Sequence, residues 1–321
     1  VAKEKSRPIR TWVVVLNFQG REHVSDCLES LAAQDEPPGG AKVLVVDNAS
    51  DDGSPEIVET RFPEIEILHN PRNLGFAGGN NAGIRRAMAM EADYVALLNM
   101  DATVDRHWLA ELVEVADLHP TAALVGARIY TADGRKVEFD GQQFDPVLTA
   151  GGYSDRSPSP DPHRAREVAY ACGAGVLMRV AALEQIGLFD ESFFAYHEDV
   201  ELSVRAWLCG YRVLNATRSA VYHQVGGAGA GVPFRDFMGL RNVALTLLKL
   251  YDGNSWRAGA QSIVNLYFDE AVPGRLDSAL AALFEAPRVL ERRRLLKARS
   301  RRTYSELVRD LERRRDGEAR R

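Results

Sequence analysis

The chain has 321 residues, 45% of them hydrophobic and 26% charged, the composition of an ordinary globular protein that buries a large core without staples. No apolar run reaches the ~18 residues of a membrane span, Val1 to Arg10 holds no apolar signal-peptide core, and three cysteines, Cys27, Cys172 and Cys209, exclude a disulfide framework and fit a reducing cytoplasm. The net charge of −5 averages two unlike parts: Arg288 to Arg321 carries 14 Lys/Arg against 6 Asp/Glu, which leaves 26 against 39 in residues 1–287, a balance of −13. So acidic a body is a poor footprint for nucleic acid, whereas the basic tail points to an anionic partner.

Residues 1–10 read as a charged arm. Thr11 to Leu16 is a short continuous apolar run rich in β-branched residues, the mark of a strand buried on both faces. Val24, Cys27, Leu28, Leu31 and Ala32 then recur at helical spacing. Val43 to Val46 is a second strand, Ser54 to Arg61 a short helix and Ile65 to His69 a third strand. The glycine-rich Gly75 to Gly83 leads into a helix towards Met90, and Tyr94 to Leu98 is a fourth strand. Leu109, Leu112, Val113 and Ala116 mark one face of a helix over His107–Leu118. The pattern weakens from Asp133 to Arg166, where Ser157 to Pro162 is a loop. Val200, Val204, Trp207 and Leu208 mark a helix that stops at Gly210. Arg212–Ala216 and Ala220–Tyr222 read as strands, Gly226–Gly231 as a flexible loop, and the chain beyond Pro233 as helical. Thr303-Tyr-Ser-Glu306 fits a capping box, followed by Tyr304, Leu307, Val308 and Leu311 on one face.

Strands alternating with helices imply an α/β fold with a mainly parallel sheet, whose ligands bind beyond the carboxyl ends of the strands. Those ends are Asn17-Phe18, Asp47-Asn48, His69-Asn70 and Asn99-Met100-Asp101. A carboxylate at Asp101 suits a hard divalent cation with phosphate oxygens completing the shell, or a plain strand-end turn. His197-Glu198-Asp199 opens a helix behind the aromatic Phe193–Tyr196. Helix capping explains one of the two carboxylates; the pair behind an aromatic wall also suits a desolvated general base. His223 is open to a structural role or to a metal or phosphate role. Asn70 to Gly83 allows backbone approach to an anion or tight helix packing. No dinucleotide fingerprint, P-loop, zinc-spaced cysteine pair or nucleophile elbow can be read.

In this order the motifs are far more specific than alone: Val13–Gly20, Val45–Gly53, Asn70–Asn80, Leu97–Asp101, Gly187–Phe194, Glu198–Leu202, Val221–His223 and Arg241-Asn242. Over some 230 residues, from Val13 to about Asn242, the chain resembles family-2 glycosyltransferases, inverting enzymes with the GT-A fold. Among them it is most similar to the bacterial rhamnosyltransferase type that builds cell-surface polysaccharides. The resemblance implies a Rossmann-like nucleotide-binding sheet flanked by helices over residues 11–250, with a helical extension and basic tail over residues 251–321. It implies a UDP- or dTDP-sugar donor, with rhamnose a candidate sugar, and a hydroxyl acceptor on a glycan or lipid-linked glycan.

By the same resemblance Leu16, Phe18 and Asp47 hold the nucleobase and ribose, and Arg72, Asn73, Gly75, Asn80 and Asn99 line the nucleotide. Asn99-Met100-Asp101 occupies the place of the D-x-D motif with its first aspartate replaced, so that Asp101 and His223 are the expected ligands of Mg²⁺ or Mn²⁺. Asp199, with Glu198 beside it, is the expected base, and the Gly173-Ala174-Gly175 loop meets donor sugar and acceptor. Two competing readings are a sugar-nucleotide nucleotidyltransferase and a non-catalytic nucleotide-sugar-binding scaffold. The tail is expected to pack as a helical face, to touch anionic lipid at the inner face of the membrane, or to form a homodimer. No nucleic-acid partner is expected.

Overall fold

The computed structural model describes residues 11–141, 165–224, 232–253 and 275–318, with residues 256, 257, 259–261 and 264 in addition. The N-terminal arm, the Ser157–Pro162 loop and the Gly226–Gly231 loop expected from the sequence lie outside the described residues. The first half alternates β1 (Thr11–Asn17), α1 (Val24–Ala32), β2 (Ala41–Asp47), α2 (Ser54–Arg61), β3 (Glu66–His69), α3 (Gly75–Ala89) and β4 (Tyr94–Asn99). Then follow β5 (Ala102–Val104), α4 (Trp108–Leu118), β6 (Ala122–Thr131), β7 (Val137–Phe139), β8 (Ala165–Glu167), β9 (Gly175–Arg179) and α5 (Val180–Ile186). A short 3₁₀ turn at Glu191–Phe193 precedes α6 (Glu198–Leu208), β10 (Arg212–His223) and α7 (Val232–Leu250). Two further helices, α8 (Arg275–Arg299) and α9 (Tyr304–Glu318), end the described chain.

One mixed sheet has the order β3-β2-β1-β4-β9-β6-β10-β5, with β7 on β6 and β8 on β10. The strands β3, β2, β1 and β4 are parallel, and β9 runs antiparallel between β4 and β6. The register sets the chemistry-bearing ends level. Asn17 pairs with Asp47, Asp47 with His69, and Leu16 with Asn99. The reversed direction of β9, with Leu98 opposite Gly175, returns the Gly173–Gly175 segment to that same edge.

The buried positions follow the apolar periods. β1 is buried along almost its whole length. The predicted faces of α4 and α6 are inside, as are Tyr304, Leu307 and Val308 of α9; on α1 Val24, Cys27, Leu28 and Leu31 are buried and Ala32 is exposed. The capping box forms: the Thr303 N–H donates to Glu306 at 2.8 Å and the Glu306 N–H to the Thr303 hydroxyl at 3.3 Å. Two expectations need correction. The segments 212–216 and 220–222 are one strand, β10, whose register shifts between Ala216 and Ala220. The bulge disguises the strand, since it breaks the period of 2. Gly75–Gly83, expected to lead into a helix, forms the first turns of α3 itself. A Cβ on Gly79 would lie 2.4 Å from Leu16 Cδ1, and one on Gly83 2.5 Å from Val14 Cγ1. These glycines let α3 lie directly on the sheet.

The C-terminal helices share the body's core. Leu247, Leu250, Leu296, Tyr304, Leu307 and Val308 join the cluster built around the sheet, and Tyr251 stacks on Tyr304 at 4.1 Å. Part of the tail's positive charge is spent inside. Arg292 pairs with buried Asp190, and Arg293 donates to the carbonyls of Leu248 and Tyr251 at 2.5 and 2.6 Å. Arg302 donates to the Trp207 carbonyl at 3.0 Å. Lys249 of α7 meets Asp190 at 2.6 Å and Glu201 of α6 at 2.9 Å, and Glu201 also takes Arg205 at 2.6 Å. Burial pushes the Lys249 ammonium down to about 8 against the pull of Glu201, while Arg205 and Lys249 outweigh burial and hold Glu201 below its usual value.

Candidate active site

The strand ends form a polar floor. Asn17, fully buried, donates through Nδ2 to Asp47 Oδ1 at 2.9 Å, Ser54 Oγ at 2.8 Å and Ser50 Oγ at 3.2 Å. Asp47 is buried and also lies 3.3 Å from the Ser50 N–H. Asn48, a strand end to which the sequence assigned no role of its own, is a clasp. Its Nδ2 donates to Asn73 Oδ1 at 2.9 Å and the Gly75 carbonyl at 3.1 Å, while its Oδ1 accepts from Asn70 Nδ2 at 3.0 Å and the Leu74 N–H at 3.1 Å. One amide thus fixes β2, the end of β3 and the entry to α3. Asn73 Oδ1 further accepts the Gly75 N–H at 2.8 Å. Gly75 has φ +72°, and a Cβ there would lie 2.5 Å from the Phe194 carbonyl. Arg72 and Asn73 are exposed, and Leu16 and Phe18 are half-buried. Asn80 is buried in α3 with its Nδ2 donating to the Phe76 carbonyl at 3.0 Å.

A second corner gathers at the end of β4. β5 pairs antiparallel with β10, His223 opposite Ala102, which puts His223 beside Asp101. His223 Nε2 lies 3.3 Å from Asp101 Oδ1 and 3.4 Å from Asn99 Nδ2. Its other ring nitrogen, Nδ1, lies 3.8 Å from Glu138 on β7, a carboxylate with no sequence signal of its own. Burial favours neutral imidazole, but Asp101 and Glu138 outweigh it and raise the His223 pKa. Burial likewise raises Glu138 in spite of His223.

The acidic pair stands across from this corner. Asp199 Oδ2 accepts from the Gly173 N–H at 3.0 Å and Oδ1 from the Val200 N–H at 2.8 Å. Ala174, next to Gly173, accepts the Asn99 N–H at 3.2 Å. The Gly173–Gly175 segment therefore joins the pair to the β4 end. Gly173 has no room to spare, since a Cβ would lie 3.0 Å from the Phe76 ring. Burial raises the Asp199 pKa, and the N–H groups of Gly173 and Val200 offset only part of the rise. Burial, then the charge of Asp199, pushes Glu198 well above the usual carboxylate range. Burial thus disfavours charge on both carboxylates, more strongly on Glu198, while Asp199 has two N–H donors that offset part of it. Cys172 is driven up to about 12 by burial and the Asp199 charge, which leaves an inert thiol.

Among the described residues no three His, Cys, Asp or Glu side chains form a ready-made metal cage. Asp101 and His223 instead offer one carboxylate oxygen and one imidazole nitrogen on facing side chains. That half-shell suits Mg²⁺ or Mn²⁺ when substrate phosphates and water supply the other oxygens. Glu198 Oε2, Asn17 Oδ1 and both ring nitrogens of His197 are buried without a partner among the described residues. A buried polar atom without a partner is costly.

Residues 12–187 match the model of glycosyl transferase family 2. The chain belongs to glycosyl transferase family 2. It is a glycosyltransferase with the GT-A architecture, as the resemblance implied. An N-acetylglucosaminyl-diphospho-decaprenol L-rhamnosyltransferase of Mycobacterium tuberculosis is 30% identical over 233 residues, spanning 66% of this chain and 75% of that enzyme. The low-salt glycan biosynthesis hexosyltransferase Agl10 of Haloferax volcanii is 26% identical and covers 60% of each chain. Among solved structures, S. aureus TarS 1–349 has a TM-score of 0.58 at 17% identity and covers 96% of this chain and 92% of its own. The mannosyltransferase PcManGT of Pyrobaculum calidifontis, solved with GDP-Man and Mn²⁺, has a TM-score of 0.56 at 19% identity, covering 88% and 76%.

The supports of this candidate site were only partly legible in the sequence. Asn17 and Asn48 stood out only as strand ends, with no role attached, and Glu138 lies on a three-residue strand where no period can single it out. Asn81 is a further case: it brackets Phe189 with a donated bond at 3.0 Å and an accepted one at 3.1 Å.

Proposed function

We propose that this family 2 enzyme transfers a sugar, rhamnose first among the candidates, from a UDP- or dTDP-linked donor to a hydroxyl of a glycan or lipid-linked glycan with inversion at the anomeric carbon. The observation that carries the reading is the placing of Asp199, bonded to the Gly173 amide, across one segment from the Asp101–His223 corner. On this reading Asp47 reads the pyrimidine N–H, and Leu16, Phe18, Arg72, Asn73, Gly75, Asn80 and Asn99 line the nucleotide. Uracil and thymine share that N–H, so both donors fit the same contact. Asp101 and His223 hold Mg²⁺ or Mn²⁺, with Asn99 beside them. A divalent ion there supplies positive charge to the departing diphosphate oxygens. Asp199 takes the proton of the acceptor hydroxyl as its oxygen attacks, and a raised pKa makes it a better base at neutral pH. Gly173, Ala174 and Gly175 lie where donor sugar and acceptor meet, and the left-out side chain at Gly173 leaves that approach open.

Product analysis tests the reading. Incubation with UDP- and dTDP-sugars plus Mn²⁺ should release UDP or dTDP; release of pyrophosphate would instead mark a nucleotidyltransferase, and no turnover with any donor a binding scaffold.

Residues 11–250 form the catalytic domain on this reading, and the extension from 251 onward serves the acceptor side at the cytoplasmic face of the membrane. No described helix is long and apolar enough to cross a bilayer. Its support is the outer face of α8, where Leu276, Leu280, Leu283 and Phe284 are exposed, Phe284 at 84%. Exposed Arg288, Arg294 and Lys297 follow on the same helix. An apolar stripe followed by cations suits an anionic interface, where each basic residue contributes ~1 kcal/mol. Phosphatidylglycerol vesicles should sediment the wild-type chain and not Leu283→Glu/Phe284→Glu. Equal sedimentation removes the membrane role, and a concentration-dependent dimer lost in the same variant would assign the stripe to a second copy.

A further inference from the structure

The loop that delivers the acidic pair is strained, and one side chain outside it holds it. Phe194 has φ 62° and ψ −68°, and the Ala195 N–H donates back to the Phe193 carbonyl at 2.7 Å. That is a γ-turn of the rarer and more strained hand. Tyr196 and His197 follow, each at φ 69°. Three non-glycine residues with positive φ cost of order 1–3 kcal/mol each, so the conformation persists only if its surroundings impose it.

Asn242 imposes it. It lies on α7, fully buried, and its Nδ2 donates to the carbonyls of Phe193 at 2.8 Å, Ala195 at 2.8 Å and Tyr196 at 2.7 Å. Its Oδ1 accepts from Arg241 Nη1 at 2.7 Å, which fixes the orientation of the amide. The loop then acts in two directions. Forwards it runs straight into Glu198 and Asp199. Backwards the Phe194 carbonyl accepts the Ala77 N–H at 3.0 Å in the first turn of α3, beside Gly75.

We propose that Asn242 is a positioning residue for the transfer reaction: its amide holds the Phe193–His197 loop so that Asp199 faces the Gly173 amide and the acceptor. The inference rests on the reading of Asp199 as the base. Misplacing a catalytic group by ~1 Å can cost ~100-fold, and Asn242→Ala removes all three restraints at once.

The experiment is a double-mutant cycle on kcat, with dTDP-rhamnose and UDP-GlcNAc as donors, on the wild type, Asn242→Ala, Asp199→Asn and the double variant. Amide hydrogen exchange is followed in parallel. Asn242→Ala should lower kcat ~10–100-fold in the wild type and change it less than ~3-fold in the Asp199→Asn background, because the group it positions is already gone. Exchange should rise at residues 194–199 and at Ala77 and stay unchanged in the sheet. An equal loss in both backgrounds, or unchanged exchange in the loop, overturns the proposal. An Asp199→Asn variant as active as the wild type instead overturns the base reading itself. Should Asn242→Ala fail to fold, Asn242→Gln keeps the amide but moves it by one methylene; the same pattern is expected with a smaller loss, and full wild-type kcat and exchange in Asn242→Gln would overturn the proposal.

Discussion

Two glycine-to-alanine changes, each within a helix, should have opposite signs. Alanine is favoured over glycine in a helix by ~1 kcal/mol. At Gly239 on α7 an added Cβ meets nothing within 4 Å, so Gly239→Ala should stabilise by about that amount. At Gly83 on α3 the same atom would lie 2.5 Å from Val14 Cγ1 and 2.9 Å from Val46 Cγ2. Both valines are fully buried in central strands, and a β-branched side chain has little rotamer freedom with which to yield. Overpacking of this kind costs ~1–3 kcal/mol, so Gly83→Ala should come out neutral to ~2 kcal/mol less stable. The two variants should therefore differ by roughly 1–3 kcal/mol. Urea midpoints at a shared slope measure the difference. A Gly83→Ala protein as stable as Gly239→Ala would falsify the claim that α3 lies on the sheet through its glycines.

Asp199→Asn should lower kcat by at least ~100-fold, the lower end of general-base contributions, while calorimetric binding of UDP with Mn²⁺ survives; unchanged turnover removes Asp199 from the mechanism. Because its pKa is raised, the acid limb of kcat should fall above the ordinary aspartate value of about 3.9, and a limb at or below that value contradicts the burial argument. Asp101→Ala should abolish activity or its dependence on Mn²⁺, and full activity of the wild type in chelator sinks the metal claim. Glu198→Gln should stabilise the fold at neutral pH. The raised folded pKa of Glu198 means that the unfolded chain alone releases this proton once pH passes about 4.3, which favours unfolding. The gain of the Gln variant should thus grow with pH and vanish in acid, and a pH-independent difference in urea midpoints would refute it.

How much of this was legible depends on the length and period of each segment. β1, β2 and β4 announce themselves as continuous apolar runs because they are buried on both faces, and α1, α4 and α6 through their helical stripes. β5, β7 and β8 have three residues each, too few for any period. β9 was missed because Gly173 and Gly175 precede its apolar run and read as loop. Within the site, carboxylates and the histidine stand out by residue type. The roles of Asn48, Glu138 and Asn242 do not, since an amide or acid acquires its role only when the fold brings distant carbonyls, amides or a ring nitrogen to it; Asn48 and Asn242 were visible as a strand end and a motif residue, without a function.

The ion pairs behind α6 bear on how the enzyme can be re-engineered. Asp190 and Glu201 sit between α6, Lys249 of α7 and Arg292 of α8, and Val289 and Ala282 of α8 pack in the cluster of Phe193. A chimera cut between α7 and α8 would take Arg292 from Asp190, leave Lys249 to hold Asp190 and Glu201, and uncover the root of the γ-turn. Swapping acceptor preference between relatives should therefore exchange α8 together with the loop at 193–197, treating the two as one cassette.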